Sequence, residues 1–386
     1  MQDRALVTTP VEPLLRGALD VEHTEHGVLP QRLPRWVRRE FPDEFLTAMA
    51  AQPSGVRLAF RTRARTVELE VRCTRTSYVG FPPRPAAHFE LVVDGRLAGR
   101  AAASGGHLRV VDLTTGTAEL RPGPPGTVRF ADLPAGDKDV ELWLPYQEVA
   151  ELIALRTDAP VEAAPQRGRR VWVHHGSSIS HGSDAAGPTG TWPVLAATAG
   201  GVDLVNLGFG GNALLDPFVA RVIRDTPADL ISVKLGINLV NTDLMRLRAF
   251  TAAVHGFLDT IRDGHPEVPL LVVSSVFCPL HEDTPGPLVT DVADGRPRFR
   301  AGGDPAEVAL GRLTLGVIRT ELARITGRRS AWDPNLHYLD GRELYGPADH
   351  DELPLPDGVH PDQPGHRRIA ERFAALAFGR GGPFAP

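Results

Sequence analysis

Two regions of the chain differ in the period of their hydrophobic residues. Up to about residue 160, apolar and polar residues alternate: between Val67 and Cys73 every odd position is apolar and every even position is charged. This period of two is typical of a strand with one face in solvent. Asp94-Gly95 is a strong hairpin signal, because both residues tolerate positive φ. Short strands at this spacing predict an antiparallel β-sandwich. The predicted strands lie within 56–73, 89–100, 107–113, 127–133 and 140–144.

Two other segments of the first region have different patterns. Residues 35–50 predict a helix that is interrupted at Pro42. Residues 157–170 are polar and rich in Ala and Pro, which is typical of a linker. We therefore expect an N-terminal sandwich domain over 1–160 and a second domain over 161–386.

From residue 171 onwards, short apolar runs alternate with amphipathic stretches. This alternation predicts an α/β domain with a parallel sheet covered by helices on both faces. The predicted strands are 171–173, 202–207, 229–235, 270–277 and 336–340, and the predicted helices are 191–199, 213–225, 243–263, 305–326 and 363–378. Ligands of such sheets bind at the carboxyl ends of the strands, so the residues after each apolar run are the candidates for chemistry.

Composition narrows the class of protein. A chain of 386 residues with 42% hydrophobic and 23% charged residues is typical of a globular protein of more than one domain. The net charge of −5 gives no reason to expect nucleic acid or a membrane surface as partner. No apolar run could span a bilayer, and residues 1–13 do not resemble a signal peptide. Cys73 and Cys278 match neither a metal motif nor a disulfide framework, so we expect a cytoplasmic protein without a metal.

The residues that follow the predicted strands are those of an acyl-transfer site. They are H-G-S-S-I-S-H-G at 175–182, G-F-G-G-N at 208–212, G-I-N at 236–238 and, after a loop, D-G-V-H-P at 357–361. A serine nucleophile needs a nearby imidazole to take its proton, and the imidazole needs a carboxylate. The tetrahedral intermediate needs N–H donors aimed at its oxyanion.

These four segments resemble the conserved blocks of the GDSL, or SGNH, hydrolase superfamily. The resemblance covers about 171–378 and implies a flavodoxin-like three-layer fold. It implies that Ser178 is the nucleophile and that Asp357 and His360 complete the catalytic triad. The oxyanion donors would be the backbone N–H groups of Ser178 and Gly211 and the side chain of Asn238. Ser177 and Leu239 stand where the family usually has Asp.

Three of these site residues also have an alternative interpretation. Asp357 could cap the helix at 363–378, and Gly211 and Asn238 could be turn residues. The other polar residues near the motifs have interpretations of their own. Ser177, Ser180 and Ser183 are expected to satisfy backbone donors at a turn or helix start, His174, His175 and His181 to pack or lie at the surface, and His366 to lie on a helix surface.

Residues 278–304 are rich in Pro and Gly, which predicts a long loop. This loop is consistent with a lid and equally with a surface loop. Its His-Glu-Asp run at 281–283 lacks the spacing of a zinc site.

The substrate is less well defined than the site. As a whole, the chain resembles two-domain members that act as acyltransferases in actinomycete polyketide biosynthesis. This implies transfer of an acyl group, including an aryl group, from an acyl-CoA donor to a hydroxyl acceptor, with no cofactor. A carboxylic ester hydrolase, either an esterase or a carbohydrate deacetylase, is the alternative, because the same residues serve both reactions. A glycan-binding protein with an inactive α/β domain is a second alternative. The sequence does not determine the oligomeric state.

Overall fold

The computed structural model describes residues 6–81, 85–112, 115–165, 168–293 and 296–386, with the backbone alone over 291–293 and 296–297. The chain divides into two compact units. The N-terminal unit contains Met1–Gly168 and Gly187–Thr189, and the C-terminal unit contains Arg169–Ala186 and Gly190–Pro386. None of the helices in the described ranges is long and apolar enough to cross a membrane.

The described residues of the N-terminal unit form two sheets. One sheet has the order β10-β9-β6-β13-β4-β3, with β1 on β13 and β11 on β6; the other has the order β14-β5-β12-β7-β8, with β2 on β5. The pairs are antiparallel apart from β6 with β9. The strands are β1 (Val7–Thr9), β2 (Leu15–Arg16), β3 (Asp20–His23), β4 (Val28–Gln31), β5 (Arg57–Thr62), β6 (Val67–Tyr78), β7 (His88–Val93), β8 (Arg96–Ala102), β9 (His107–Val111), β10 (Ala118–Arg121), β11 (Gly126–Phe130), β12 (Lys138–Trp143), β13 (Val149–Thr157) and β14 (Val161–Ala163).

The core of this unit lies between its two sheets. Leu69 and Val71 of β6 pack in one buried cluster with Phe60 of β5, Leu91 of β7 and Leu142 of β12. The alternating residues of β6 face this cluster, as their period of two predicts. The predicted β-sandwich is confirmed.

Several predicted details of this unit are confirmed. Asp94 and Gly95 turn the β7–β8 hairpin, with φ values of 48° and 78°. The helical region breaks near Pro42 into α1 (Arg35–Glu40) and α2 (Glu44–Ala51). Leu113, the last residue of a predicted strand, lies outside the described residues.

Other details are corrected. Residues 56–73 contain the whole of β5 and the start of β6, which lie in different sheets. Strand β13, which pairs with β6, β4 and β1, was not predicted from the sequence. The segment 157–170 is not a linker throughout, because β14 pairs with β5 at 161–163; residues 166–167 lie outside the described residues.

The C-terminal unit is a three-layer α/β sandwich, as predicted. Its parallel sheet has the order β16-β15-β17-β18-β21. The strands are β15 (Val171–Gly176), β16 (Asp203–Gly208), β17 (Leu230–Leu235), β18 (Leu270–Ser274), β19 (Leu288–Ala293), β20 (Arg296–Ala301) and β21 (Leu336–Leu339). The helices are α3 (Ser178–His181), α4 (Trp192–Gly200), α5 (Pro217–Asp225), α6 (Ile237–Asn241), α7 (Leu247–Gly264), α8 (Leu315–Arg329), α9 (Pro347–Glu352) and α10 (Gln363–Phe373).

Successive residues of β15 face different helix layers. Trp172 stacks on Phe373 of α10, with ring centroids 5.1 Å apart, and contacts Trp192 of α4. His175 points the other way and stacks on Phe257 of α7. Side chains alternate along a strand, so burial of both faces requires the near-continuous apolar runs seen in the sequence.

The segment 278–304 is not an irregular loop. Strands β19 and β20 pair there as a two-stranded antiparallel sheet. In the sequence, Asp294-Gly295 between short runs of strand-forming residues is a hairpin signal. Pro297 is unfavourable in a strand, which weakens that signal.

Ile231 in the middle of the parallel sheet tests this core. It is fully buried, on a strand that pairs with both neighbours. We expect Ile231→Ala to lower the free energy of unfolding by about 2–5 kcal/mol, because it leaves a cavity. Leu310→Ala is the control, since Leu310 is 74% exposed. Equal denaturant midpoints for both variants would contradict this placement.

Candidate active site

Three of the candidate segments begin at the carboxyl ends of neighbouring strands. Ser177 and Ser178 follow β15, the loop to Gly211 follows β16, and Asn238 follows β17. The chain leaves β15 toward β16 on one side and then crosses back to β17 on the other. Such a reversal of strand order opens a crevice at the carboxyl edge. The fourth segment, 357–361, comes after β21 and α9 and lies just before α10.

Ser178 is the first residue of the one-turn helix α3 and is partly exposed. Ser177 before it is extended, with φ −85° and ψ −159°, so the chain turns sharply between strand and helix. The expectation that Ser177 satisfies a backbone donor is wrong: its side chain makes no cap bond, and its buried Oγ has no partner among the described residues.

The structure brings Ser178, His360 and Asp357 into one hydrogen-bonded row. His360 Nε2 lies 2.8 Å from Ser178 Oγ, and His360 Nδ1 lies 2.7 Å from Asp357 Oδ2. Asp357 Oδ1 also accepts the backbone N–H groups of Val359 and His360, at 2.8 and 2.7 Å. The tight turn from 357 to 360 thereby holds the carboxylate and the ring together. Since Nδ1–H donates to the carboxylate, Nε2 is free to accept the serine proton.

The charge of Asp357 is set by two opposing effects. Burial by itself would raise the pKa of this carboxyl, but the hydrogen bonds from the His360 ring and the two backbone N–H groups outweigh it, and the pKa is lowered. The carboxylate is therefore ionised at neutral pH, as an orienting residue must be to stabilise an imidazolium.

The Cys278 thiol supports the same turn. Its Sγ lies 3.5 Å from the carbonyl oxygen of Gly358. Burial raises the pKa of Cys278 to about 12, so the group stays a thiol and donates to this carbonyl. This role of Cys278 could not be predicted from the sequence, because its partner is a backbone atom 80 residues away.

The segments that carry Gly211 and Asn238 are hydrogen-bonded to each other. Gly211 lies on the loop after β16 and has φ +73°, which favours glycine. Asn238 lies in α6, and its Oδ1 atom accepts the backbone N–H of Ala213 at 3.1 Å, which leaves its NH₂ group as a donor. The loop after β16 also contacts the end of β15, since Phe209 N–H donates to the Gly176 carbonyl at 2.8 Å. This loop thus connects α6 to the strand that precedes Ser178.

The other candidate histidines are buried. His174, His175 and His181 pack in the interior. The prediction of a surface position for His366 is wrong: its Nε2–H donates to Ser183 O at 2.8 Å, and its Nδ1 accepts the Trp192 N–H at 3.2 Å. It lies on the buried face of α10, which the spacing from Ile369 and Phe373 indicated.

Asp184 is a further charged group close to the row. Ligand atoms of Asp184, Asp357 and His360 all lie within 4.8 Å of one another, and Asp184 is exposed. No local motif marks Asp184, because its proximity depends on the return of the chain at residue 357. His281, from the run at 281–283, is buried and contacts the Thr284 carbonyl at 3.0 Å.

Comparison with known proteins identifies the class of enzyme. Residues 14–152 match the SsfX3 N-terminal domain and residues 169–279 match the GDSL-like lipase/acylhydrolase family. No curated protein matches the sequence. The solved structure of the salicylyl-acyltransferase SsfX3, from a tetracycline biosynthetic pathway, is 31% identical, covers 96% of both chains and has a TM-score of 0.79. Fold and family together define an enzyme of the SGNH class, which transfers acyl groups or hydrolyses esters. The chain belongs to the GDSL-like lipase/acylhydrolase family, in the two-domain form with the SsfX3 N-terminal domain.

Two more distant structures share the fold. A GDSL-like lipase structure from Bacteroides ovatus is 18% identical over 96% of both chains, with a TM-score of 0.67. A family two carbohydrate esterase from Clostridium thermocellum is 12% identical and covers 85% of this chain and 93% of its own, with a TM-score of 0.57. At these identities the similarity concerns the fold alone.

The charge of Asp357 can be removed without changing the shape of its side chain. We expect Asp357→Asn to lower kcat for ester cleavage by about 10²–10⁴-fold, because an amide cannot stabilise the imidazolium. Asp362→Asn is the matched control. Asp362 caps α10 by accepting from Gly365 N, which asparagine does as well. If both variants kept wild-type kcat, Asp357 would not be the orienting carboxylate.

Buried neutral histidines should make this unit sensitive to acid. Burial lowers the pKa of His366 to about 4, whereas the unfolded chain titrates near 6.5. The stabilisation that depends on neutral His366 is fully present above pH ~6.5. Between about pH 6.5 and 4 only the unfolded state gains a proton, so up to about 3 kcal/mol of the free energy of unfolding is lost. His366→Gln should flatten this slope in unfolding measurements at a series of pH values. A His366→Gln slope equal to that of the wild type would contradict this assignment.

Proposed function

We propose that the protein is a serine acyltransferase that moves an acyl group from an activated donor to a hydroxyl acceptor through an acyl-Ser178 intermediate. One observation carries the mechanism: His360 Nε2 lies 2.8 Å from Ser178 Oγ while Nδ1 is held by Asp357. This is within the distance at which a general base takes a proton.

The first half-reaction forms the acyl-enzyme. Ser178 Oγ attacks the acyl carbonyl as its proton passes to His360 Nε2, and Asp357 stabilises the imidazolium. The N–H groups of Ser178 and Gly211 and the NH₂ group of Asn238 are the proposed donors to the oxyanion. When the carbonyl re-forms, the leaving group departs with the proton from His360, and the acyl group stays on Ser178.

The second half-reaction decides between transfer and hydrolysis. His360 takes the proton of an acceptor O–H, the acceptor oxygen attacks the acyl-serine carbonyl, and Ser178 leaves with the proton. An alcohol as acceptor yields an ester, and water yields the free acid. Similarity over 96% of the chain to a salicylyl-acyltransferase from a tetracycline biosynthetic pathway supports transfer. We propose an aryl-CoA as the donor and a polyketide hydroxyl as the acceptor.

Hydrolysis is the second candidate function, because water can reach the row. The side chains of His360 and Asp357 are 18% and 23% exposed. Unless a bound acceptor excludes it, water competes for the acyl-enzyme.

The proposal is tested by following the acyl group. With salicylyl-CoA as donor, mass spectrometry should detect one acyl group on Ser178, and added polyketide alcohols should divert product from salicylate to ester. Ser178→Ala should remove the adduct and lower turnover by at least about 10⁴-fold. Ser183→Ala, on the same loop, is the matched control. Salicylate as sole product with every alcohol would contradict transfer and leave the hydrolase; no adduct on wild type with any ester or thioester would contradict both.

A further inference from the structure

His174 is a fully buried polar side chain that the proposed reaction does not use. It lies on β15, four residues before Ser178. Its Nδ1 atom lies 2.7 Å from Ser232 Oγ of β17, and its Nε2 atom lies 2.8 Å from Ser180 Oγ of α3. Both ring nitrogens are therefore engaged, and one of them contacts the helix that presents the proposed nucleophile.

The hydrogen bonds of His174 connect the middle of the sheet to helix α3. The Trp172 indole N–H, which can only donate, donates to Ser232 Oγ at 2.8 Å. Ser232 Oγ is hydrogen-bonded to His174 Nδ1, and His174 Nε2 is hydrogen-bonded to Ser180 Oγ. The connection therefore runs from Trp172 through Ser232 and His174 to Ser180.

Helix α3 depends on such outside support. It has only four residues and no side-chain cap at its first turn. Ser180 also lies close to the strand that precedes the helix: a Cβ at Gly176 would be 2.3 Å from Ser180 Oγ. The rotation of this short helix, and with it the direction of Ser178 Oγ, is thus set by what holds Ser180.

The same serine connects to the second loop of the site. The Ser180 carbonyl accepts from Asn206 Nδ2 at 2.9 Å, and Asn206 Oδ1 accepts the Gly208 N–H at 2.9 Å. Gly208 is the last residue of β16, three residues before Gly211. Ser180 is therefore the point at which the nucleophile helix and the proposed oxyanion loop are joined.

We propose that His174 is a positioning residue of this active site, which aims Ser178 Oγ at His360 by fixing Ser180 on helix α3. This inference rests on the proposed function and adds to it a residue outside the triad. The titratable groups near His174 favour the neutral form of its imidazole. Burial, with His175 and Lys234 nearby, holds its pKa well below the usual value, so it does not exchange protons in the working pH range.

Two substitutions separate the ends of the imidazole. Glutamine places its amide close to the position of Nε2, where it can donate to or accept from Ser180; asparagine reaches only the position of Nδ1. We expect His174→Asn to lower kcat, and the rate at which a fluorophosphonate inactivates the folded enzyme, by about 10- to 100-fold with little change in KM. His174→Gln should stay close to wild type. A role in packing alone would lower the thermal stability of His174→Asn without slowing the inactivation of its folded fraction.

Further variants complete the test. Ser180→Ala should match His174→Asn, and the double variant should be no slower than either, because both changes break the same connection. His265→Gln is the control, since His265 is buried and its Nε2 lies 2.9 Å from the Ile223 carbonyl. Thermal denaturation gives the folded fraction for each variant.

The outcomes distinguish the two proposals. If wild-type Ser178 reacts with the fluorophosphonate but His174→Asn reacts as fast as His174→Gln, the role of His174 is overturned and the triad stands. A wild-type protein that neither reacts at Ser178 nor cleaves esters would overturn the proposed function, and the inference with it.

Discussion

The arrangement of the candidate site depends on the position of β15 inside the parallel sheet. This strand is hydrogen-bonded to β16 along one edge and to β17 along the other, and its side chains from Trp172 to Gly176 are buried. A strand held in this way cannot shift its register without exposing a full face of its side chains. Its carboxyl end therefore fixes the position at which helix α3, with Ser178 as its first residue, begins. The segments that follow β16 and β17 lie beside it.

Within this frame, polar side chains have two different environments. His174, His175 and His366 are enclosed, and burial lowers the pKa of each, so they act as fixed hydrogen-bonding groups. His360 is partly exposed and pairs with a carboxylate. A buried neutral imidazole stabilises geometry, whereas one at the surface of a crevice can gain and lose a proton during a reaction. The unit thus contains histidines of both kinds, and His360 and His366, one of each kind, are only six residues apart.

Residues that act through local sequence were the ones that could be predicted. The Asp94-Gly95 turn depends on the conformations that these two residues tolerate, and the pairing of Asp357 with His360 depends on a single turn of chain. The strands of the parallel sheet were predicted within a few residues, because burial on both faces requires apolar runs, whereas β19 and β20 were not predicted. The strand β13 was missed although it pairs with three others, and His366 was placed on the wrong face of its helix.

The sequence by itself determined the two kinds of sheet, the order of the segments that carry the site, and the residue types available for chemistry. Only the tertiary structure decided that Ser178 and His360, 182 residues apart, lie 2.8 Å from each other. It also decided that the Cys278 thiol supports the turn at Gly358 and that His174 contacts Ser180. Periodicity reports which face of an element is buried, but the partner of a buried polar atom depends on how distant elements pack, and no local pattern records it.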